Sequence, residues 1–199
     1  MRYDKRQIAQ KLIRWERFVG GFCLPNWDEL PQIALYMDQV ITLINGYLGF
    51  FAFEGSGEKL LTPSMVNNYV KTKLLPPPVG KKYGRGQVAR LIMICTFKQS
   101  LGMAAVRELL PSGGEEAVRR DYGQFIAAHR RLLLLFAEQV KASAASVFDE
   151  TADTGTEVND LVVASAVAAS FGRLLAEKIV SLRLPEPDEP AETEPPQAG

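Results

Sequence analysis

The side chains in this chain whose types and spacing could do chemistry are its cations. From Lys59 to Arg107, 49 residues hold nine Lys or Arg and no Asp or Glu, in a chain whose 23 basic and 23 acidic residues cancel. Charge sorted in this way implies a polyanionic partner. Lys and Arg contact phosphate oxygens and release the counterions condensed on a nucleic-acid backbone. Lys71, Lys73, Lys81, Lys82 and Arg85 are the candidate phosphate contacts, and Ser64, Asn67 and Asn68 are short polar groups able to reach base edges. Asparagine can pair bidentately with adenine. The bland alternative for the same residues is a solvated basic face.

Other chemistries lack their residues. Cys23 and Cys95 are far apart and His129 is the one histidine, whereas a structural zinc site takes about four ligands. Two buried thiols in a reducing cytoplasm are expected instead. Asp28, Glu29 and Asp38 could suggest acid–base work, but no His, nucleophile or phosphate loop accompanies them, so capping and packing are expected, with Asp28 as a cap. No glycine-rich phosphate loop, nucleophile elbow or metal motif occurs. The expectation is a non-enzymatic protein without a cofactor. His129, followed by Arg130 and Arg131, reads as a surface or interface residue.

The cations need elements to position them. Thr62 followed by Pro63 reads as a helix start, N-cap then first helical position. That helix carries Val66, Tyr69 and Val70 inward and Ser64, Asn67, Asn68 and Lys71 outward, and is expected to span 62–75, where Leu74 and Leu75 close it. Pro76, Pro77 and Pro78 forbid continuation. A short basic turn over Val79–Tyr83 leads into a second helix from Arg85 to Leu101, with a stripe of Val88, Leu91, Ile92, Cys95 and Gln99. Further helices are expected at 5–22, 33–48, 103–110, 115–148 and 158–184. The last two, joined by a short turn, are expected to form an antiparallel hairpin. Residues 185–199 hold five Pro, five acids and no base, so that tail is expected to stay unfolded. The longest apolar runs are too short or too polar-flanked to span a bilayer, which takes about 20 residues, and the basic N-terminus does not read as a signal peptide.

Leu61–Pro78, LTPSMVNNYVKTKLLPPP, resembles the recognition region of MerR-type regulators, and KYGRGQVARL at 82–91 is similar to the end of their wing and the following helix. The segments LPNWDELPQIALYMDQVI, LTPSMVNNYVK and PPPVGKKYGRGQVARLIMI together resemble the bacterial family of unknown function called DUF1836. The resemblance implies a MerR-like winged helix-turn-helix presumed to bind DNA, with no established ligand or target. Lys73 occupies the position where MerR proteins usually end the recognition helix with Gly. Ser64, Asn67 and Asn68 stand where those proteins place Arg and Tyr.

The expected architecture is therefore mainly α, a MerR-like winged helix-turn-helix followed by a long C-terminal helical hairpin. Its parts are an amphipathic helix at 1–22, the helix-turn-helix domain at 23–110, a hairpin for dimerisation or effector binding at 111–184, and the tail at 185–199. The expected function is a cytoplasmic, DNA-binding transcriptional regulator, without a membrane partner. It would grip duplex DNA with helix 62–75 and the basic wing 79–85 and form a homodimer through residues 115–184. The small-molecule effector is unidentified. The alternative is a protein-interaction scaffold that keeps the fold without reading bases.

Overall fold

The core is built around a helix that is apolar on every side. Val88 to Cys95 are eight consecutive buried residues, interrupted chemically only by Arg90. A helix with no polar face has to be enclosed by others. The computed structural model describes residues 5–51, 59–143, 147 and 155–182. In it the central helix, α4, spans Arg85–Phe97. The other helices are α1 (Lys5–Gly21), α2 (Met37–Tyr47), α3 (Pro63–Lys71), α5 (Met103–Leu109), α6 (Glu115–Ser143) and α7 (Gly155–Ser181). Two two-residue strands, β1 (Leu35–Tyr36) and β2 (Lys82–Tyr83), pair antiparallel, Leu35 with Tyr83 and Tyr36 with Lys82. The described residues are thus mainly helical, as their periodicity implied.

The core comprises Val40, Ile44 and Leu48 from α2 and its end, Leu61, Val66 and Tyr69 around α3, Leu74 and Leu75 after it, and Val118 and Tyr122 from α6, all packed about α4. Each large apolar side chain enclosed here is worth about 1.5–3 kcal/mol relative to exposure. Trp27 and Tyr122 meet edge to face, and the Tyr122 hydroxyl donates to the Pro25 carbonyl at 2.8 Å. That hydrogen bond fastens the segment before α2 to α6. Helix α1 lies along α6, with Val19 and Ala137 buried and Trp15 edge-on to Phe136. The N-terminal helix therefore docks on its own chain.

Several expectations are corrected. The helix expected over 33–48 begins at Met37, because Leu35 and Tyr36 pair with Tyr83 and Lys82 in a two-stranded sheet, and Ile33 is 74% exposed. The second helix ends at Phe97, not Leu101, and Gln99 is exposed, so the expected stripe is really an all-round apolar surface. The cap near Trp27 is Asn26, not Asp28. Its side chain accepts from the amides of Asp28 and Glu29, while Glu29 accepts from the Asn26 amide at 2.8 Å, a reciprocal capping box. Of the two thiols only Cys95 is buried, and Cys23 is exposed. Of the two long helices expected to form an antiparallel hairpin, α6 packs on α1 and α4 and α7 touches α5, and the turn expected to join them lies outside the described residues. The acidic tail lies outside the described residues.

His129, expected at the surface or an interface, is half-buried among aromatic rings. Phe22, Phe50 and Phe125 surround its ring at centroid distances of 5.9–6.3 Å, and burial lowers its pKa from the ordinary value. An imidazolium in an apolar cage loses hydration that the rings replace only in part.

Candidate nucleic-acid interface

Helix α3 starts and stops for local reasons. The Thr62 side chain accepts from the Met65 amide, and Pro63 occupies the first turn. Val66 and Tyr69 turn inward, so Ser64, Asn67, Asn68 and Lys71, spaced i, i+3, i+4 and i+7, share the exposed face. The helix is shorter than the expected 62–75. Its last residue is Lys71, and Lys73 then adopts φ +58, the left-handed conformation that reverses the chain. The Leu74 amide donates back to the Tyr69 carbonyl at 2.8 Å, closing the helix end. Leu74 and Leu75, instead of extending the helix, become buried anchors beneath it.

The basic turn after the prolines is as small as a hairpin can be. Val79 and Lys82 exchange two backbone hydrogen bonds of 3.0 Å, and Gly80 and Lys81 between them both have positive φ. That geometry, left-handed at both central residues, suits the twist of a hairpin. Lys81 projects from the turn and is exposed. Lys82 is half-buried, its ammonium 4.9 Å from the Tyr36 ring centroid, and Arg85 stands 5.7 Å from the Trp27 ring. In each case an aromatic face fixes the direction of the cation.

Three of the nine cations in the basic run do a different job. Arg90 is buried and donates to the carbonyls of Pro111 at 2.6 Å and Gly113 at 3.2 Å. Burial lowers its pKa, and Asp121 opposes that shift. Lys98 donates to the Leu60 carbonyl at 2.9 Å, and Arg107 donates to the Thr72 carbonyl at 2.6 Å. Leu60 precedes the start of α3 and Thr72 follows its end. Side chains from the C-terminal ends of α4 and α5 therefore hold α3 by its two ends. The cations left for an external partner are Lys59, Lys71, Lys73, Lys81, Lys82 and Arg85. None of these six is in a salt bridge among the described residues.

Two amide side chains that the sequence did not single out complete the arrangement. Asn45 of α2 donates to the Leu61 carbonyl at 3.0 Å and accepts from the Leu61 amide at 3.1 Å, clamping the chain where it enters α3. Gln87 of α4 donates to the carbonyls of Pro76 and Pro77, each at 2.9 Å, and accepts from the Gly84 amide at 2.7 Å. It ties the proline link to the start of α4, so the hairpin springs from a fixed base. Tyr69 and Tyr83 are both buried, and burial raises the Tyr69 pKa to about 12. Both hydroxyls stay protonated at neutral pH.

Helix α7 has a property its short apolar runs concealed. Val158–Ser181 is long and apolar enough to cross a membrane by length and composition, and it is almost wholly exposed.

Residues 25–129, just over half the chain, match the family described as "Domain of unknown function (DUF1836)". No curated protein matches the chain, and no solved structure does.

Proposed function

The chain belongs to the DUF1836 family, and on that premise we propose that it is a DNA-binding transcriptional regulator of the MerR-like winged helix-turn-helix kind. In this reading α2 and α3 are the helix-turn-helix and α3 enters the major groove. Ser64, Asn67 and Asn68 face base edges, and Lys71 and Lys73 hold the phosphate at the helix end. Lys81, Lys82 and Arg85 grip the backbone from the wing. The protein acts in the cytoplasm as a homodimer through residues 115–184, without a catalytic reaction.

The observation that carries the reading is the exposed face of α3. Its four polar side chains make no hydrogen bond or ion pair within the described chain, while Lys98 and Arg107 hold both helix ends. A short helix clamped at its ends with an uncommitted polar face suits groove recognition better than packing. The order strand, helix, helix, hairpin, with the first strand paired to the hairpin, further supports a winged arrangement. Cations fixed on rings at the wing base suit phosphates at a set distance from the groove.

The test is selection from random duplex DNA at physiological salt. A pseudo-palindrome is expected, because a two-fold dimer reads two half-sites about one helical turn apart, bound about 10³-fold or more above random duplex. A pool without enrichment, with binding that vanishes as salt rises, transfers the fold to the scaffold reading.

A further inference from the structure

Helix α7 carries an outward stripe that nothing in the described chain covers. Asp160, Ala164, Val167, Phe171, Leu174 and Lys178 follow one another at intervals of four, three, four, three and four residues, the seam spacing of a coiled coil. Val167, Phe171 and Leu174 are 45%, 66% and 63% exposed. Val158 and Ala176, which pack inward, lie on the opposite side of the helix.

We propose that this stripe pairs antiparallel with the same stripe of a second copy, about a two-fold axis level with position 169. Three features on the helix select that partner and orientation. The first is that the seam reads the same in both directions. Asp160 and Lys178 are equidistant from position 169, as are Ala164 and Leu174, and Val167 and Phe171. Each large side chain therefore faces a smaller one across the axis, as an isologous contact requires. The second is charge. An antiparallel pair sets each Asp160 against the Lys178 of its mate, whereas a parallel pair stacks like on like. Both side chains are exposed, and neither is in an ion pair among the described residues. Arg173 and Glu177 pair with each other on the flank and leave the seam neutral.

The third is size. A stable interface takes roughly 800 Å² from each partner, and Val163 and Leu175, 61% and 62% exposed, widen the seam toward that area. A bilayer is the poorer occupant. The helix is long and apolar enough to cross one, but it would carry Asp160 and Arg173, which bound an uncharged stretch of only 12 residues, about 18 Å of helix, into the roughly 30 Å of a hydrocarbon core.

The inference deepens the homodimer of the proposed function by naming its contact, and it does not depend on DNA. The test is sedimentation equilibrium of the full chain without DNA. The wild type is expected to dimerise. Asp160→Lys and Lys178→Asp, each creating two like-charge contacts by symmetry, should each weaken the dimer roughly tenfold. The double variant, which restores both attractions with reversed polarity, should return to within about threefold of wild type. Both residues are exposed, so unchanged circular dichroism is the expected check on folding. A wild type that stays monomeric at 100 µM overturns the proposal, and so does a double variant as weak as the singles. Flotation of the wild type with phosphatidylcholine–phosphatidylglycerol vesicles, in preference to self-association, gives the stripe to a membrane and overturns it as well. A chain that dimerises with this charge pattern yet enriches no DNA removes the DNA reading and leaves the dimer standing.

Discussion

Lys73→Gly should make the protein more stable and a weaker DNA binder at once. Lys73 holds φ +58 immediately past α3, a conformation that costs a residue with a Cβ about 1–2 kcal/mol. Glycine removes that strain but gains freedom in the unfolded chain, which gives back about 0.4–1 kcal/mol. The net gain lies between about zero and 1.6 kcal/mol, or up to about 6 °C in thermal midpoint for a chain of this size. The Lys73 side chain is exposed and carries no ion pair among the described residues, so no native contact is lost. If its ammonium meets a phosphate, the plot of log affinity against log salt should flatten by about 0.9 per protomer. Lys73→Asn tolerates the left-handed turn and also loses the charge. Lys73→Ala loses the charge and keeps the strain. Thermal unfolding with salt titration of duplex binding separates the two effects. A lower midpoint for Lys73→Gly refutes the left-handed helix end, and an unchanged salt slope in all three variants refutes the phosphate contact.

Replacing Lys81 and Lys82 together by Ala should weaken binding to every duplex and flatten the salt slope by about two per protomer, and an unchanged slope removes the wing from the interface. Arg90→Met leaves the Pro111 and Gly113 carbonyls without their donor and should cost about 3 kcal/mol in urea denaturation; a loss under 1 kcal/mol means that water serves those carbonyls equally well. His129 gives a pH dependence. Its folded pKa lies below the ordinary value near 6.5, so the unfolded chain binds the proton more readily, and stability should fall as pH drops through 6.5 toward the folded pKa. His129→Phe should flatten that part of the stability profile, and an unchanged slope assigns it to other groups. Burial raises the Cys95 pKa to about 11, while Cys23 is exposed. Ellman's reagent should therefore react with one thiol per native chain and two after unfolding, and two fast thiols in the native protein contradict the packing of α4.

What could be read from the sequence was what is decided locally. Thr62, Pro63 and the three prolines bracket α3 within a few residues of it, and the inward turn of Val66 and Tyr69 follows from helical spacing. The strand at Leu35–Tyr36 could not be read, because two residues have no period of their own and pair with Lys82 and Tyr83 more than 40 positions away. The apolar residues Ile33, Met37 and Val40 imitate a helix start there. In α4 every side from Val88 to Cys95 is buried, so periodicity had no polar face to mark. A sequence gives the charge of Arg90, Lys98 and Arg107 but not the carbonyls they point to, which come from segments 21 to 38 positions distant. Asn45 and Gln87 carry no mark in the sequence for the same reason, since polar residues in a helix ordinarily face water.

A nine-residue helix such as α3 would not hold its shape alone in water. Here its position is set by inward Val66 and Tyr69, by Asn45 at its entry, and by Lys98 and Arg107 at its ends. None of these supports uses the side chains of Ser64, Asn67, Asn68 or Lys71. Holder and head are separable on this fold: exposed substitutions at those four positions should change stability by no more than about 0.5 kcal/mol each. Descendants of this chain could rewrite the whole outward face of α3 without refolding it, and an engineer could use the same freedom to display a different recognition surface on an unchanged frame.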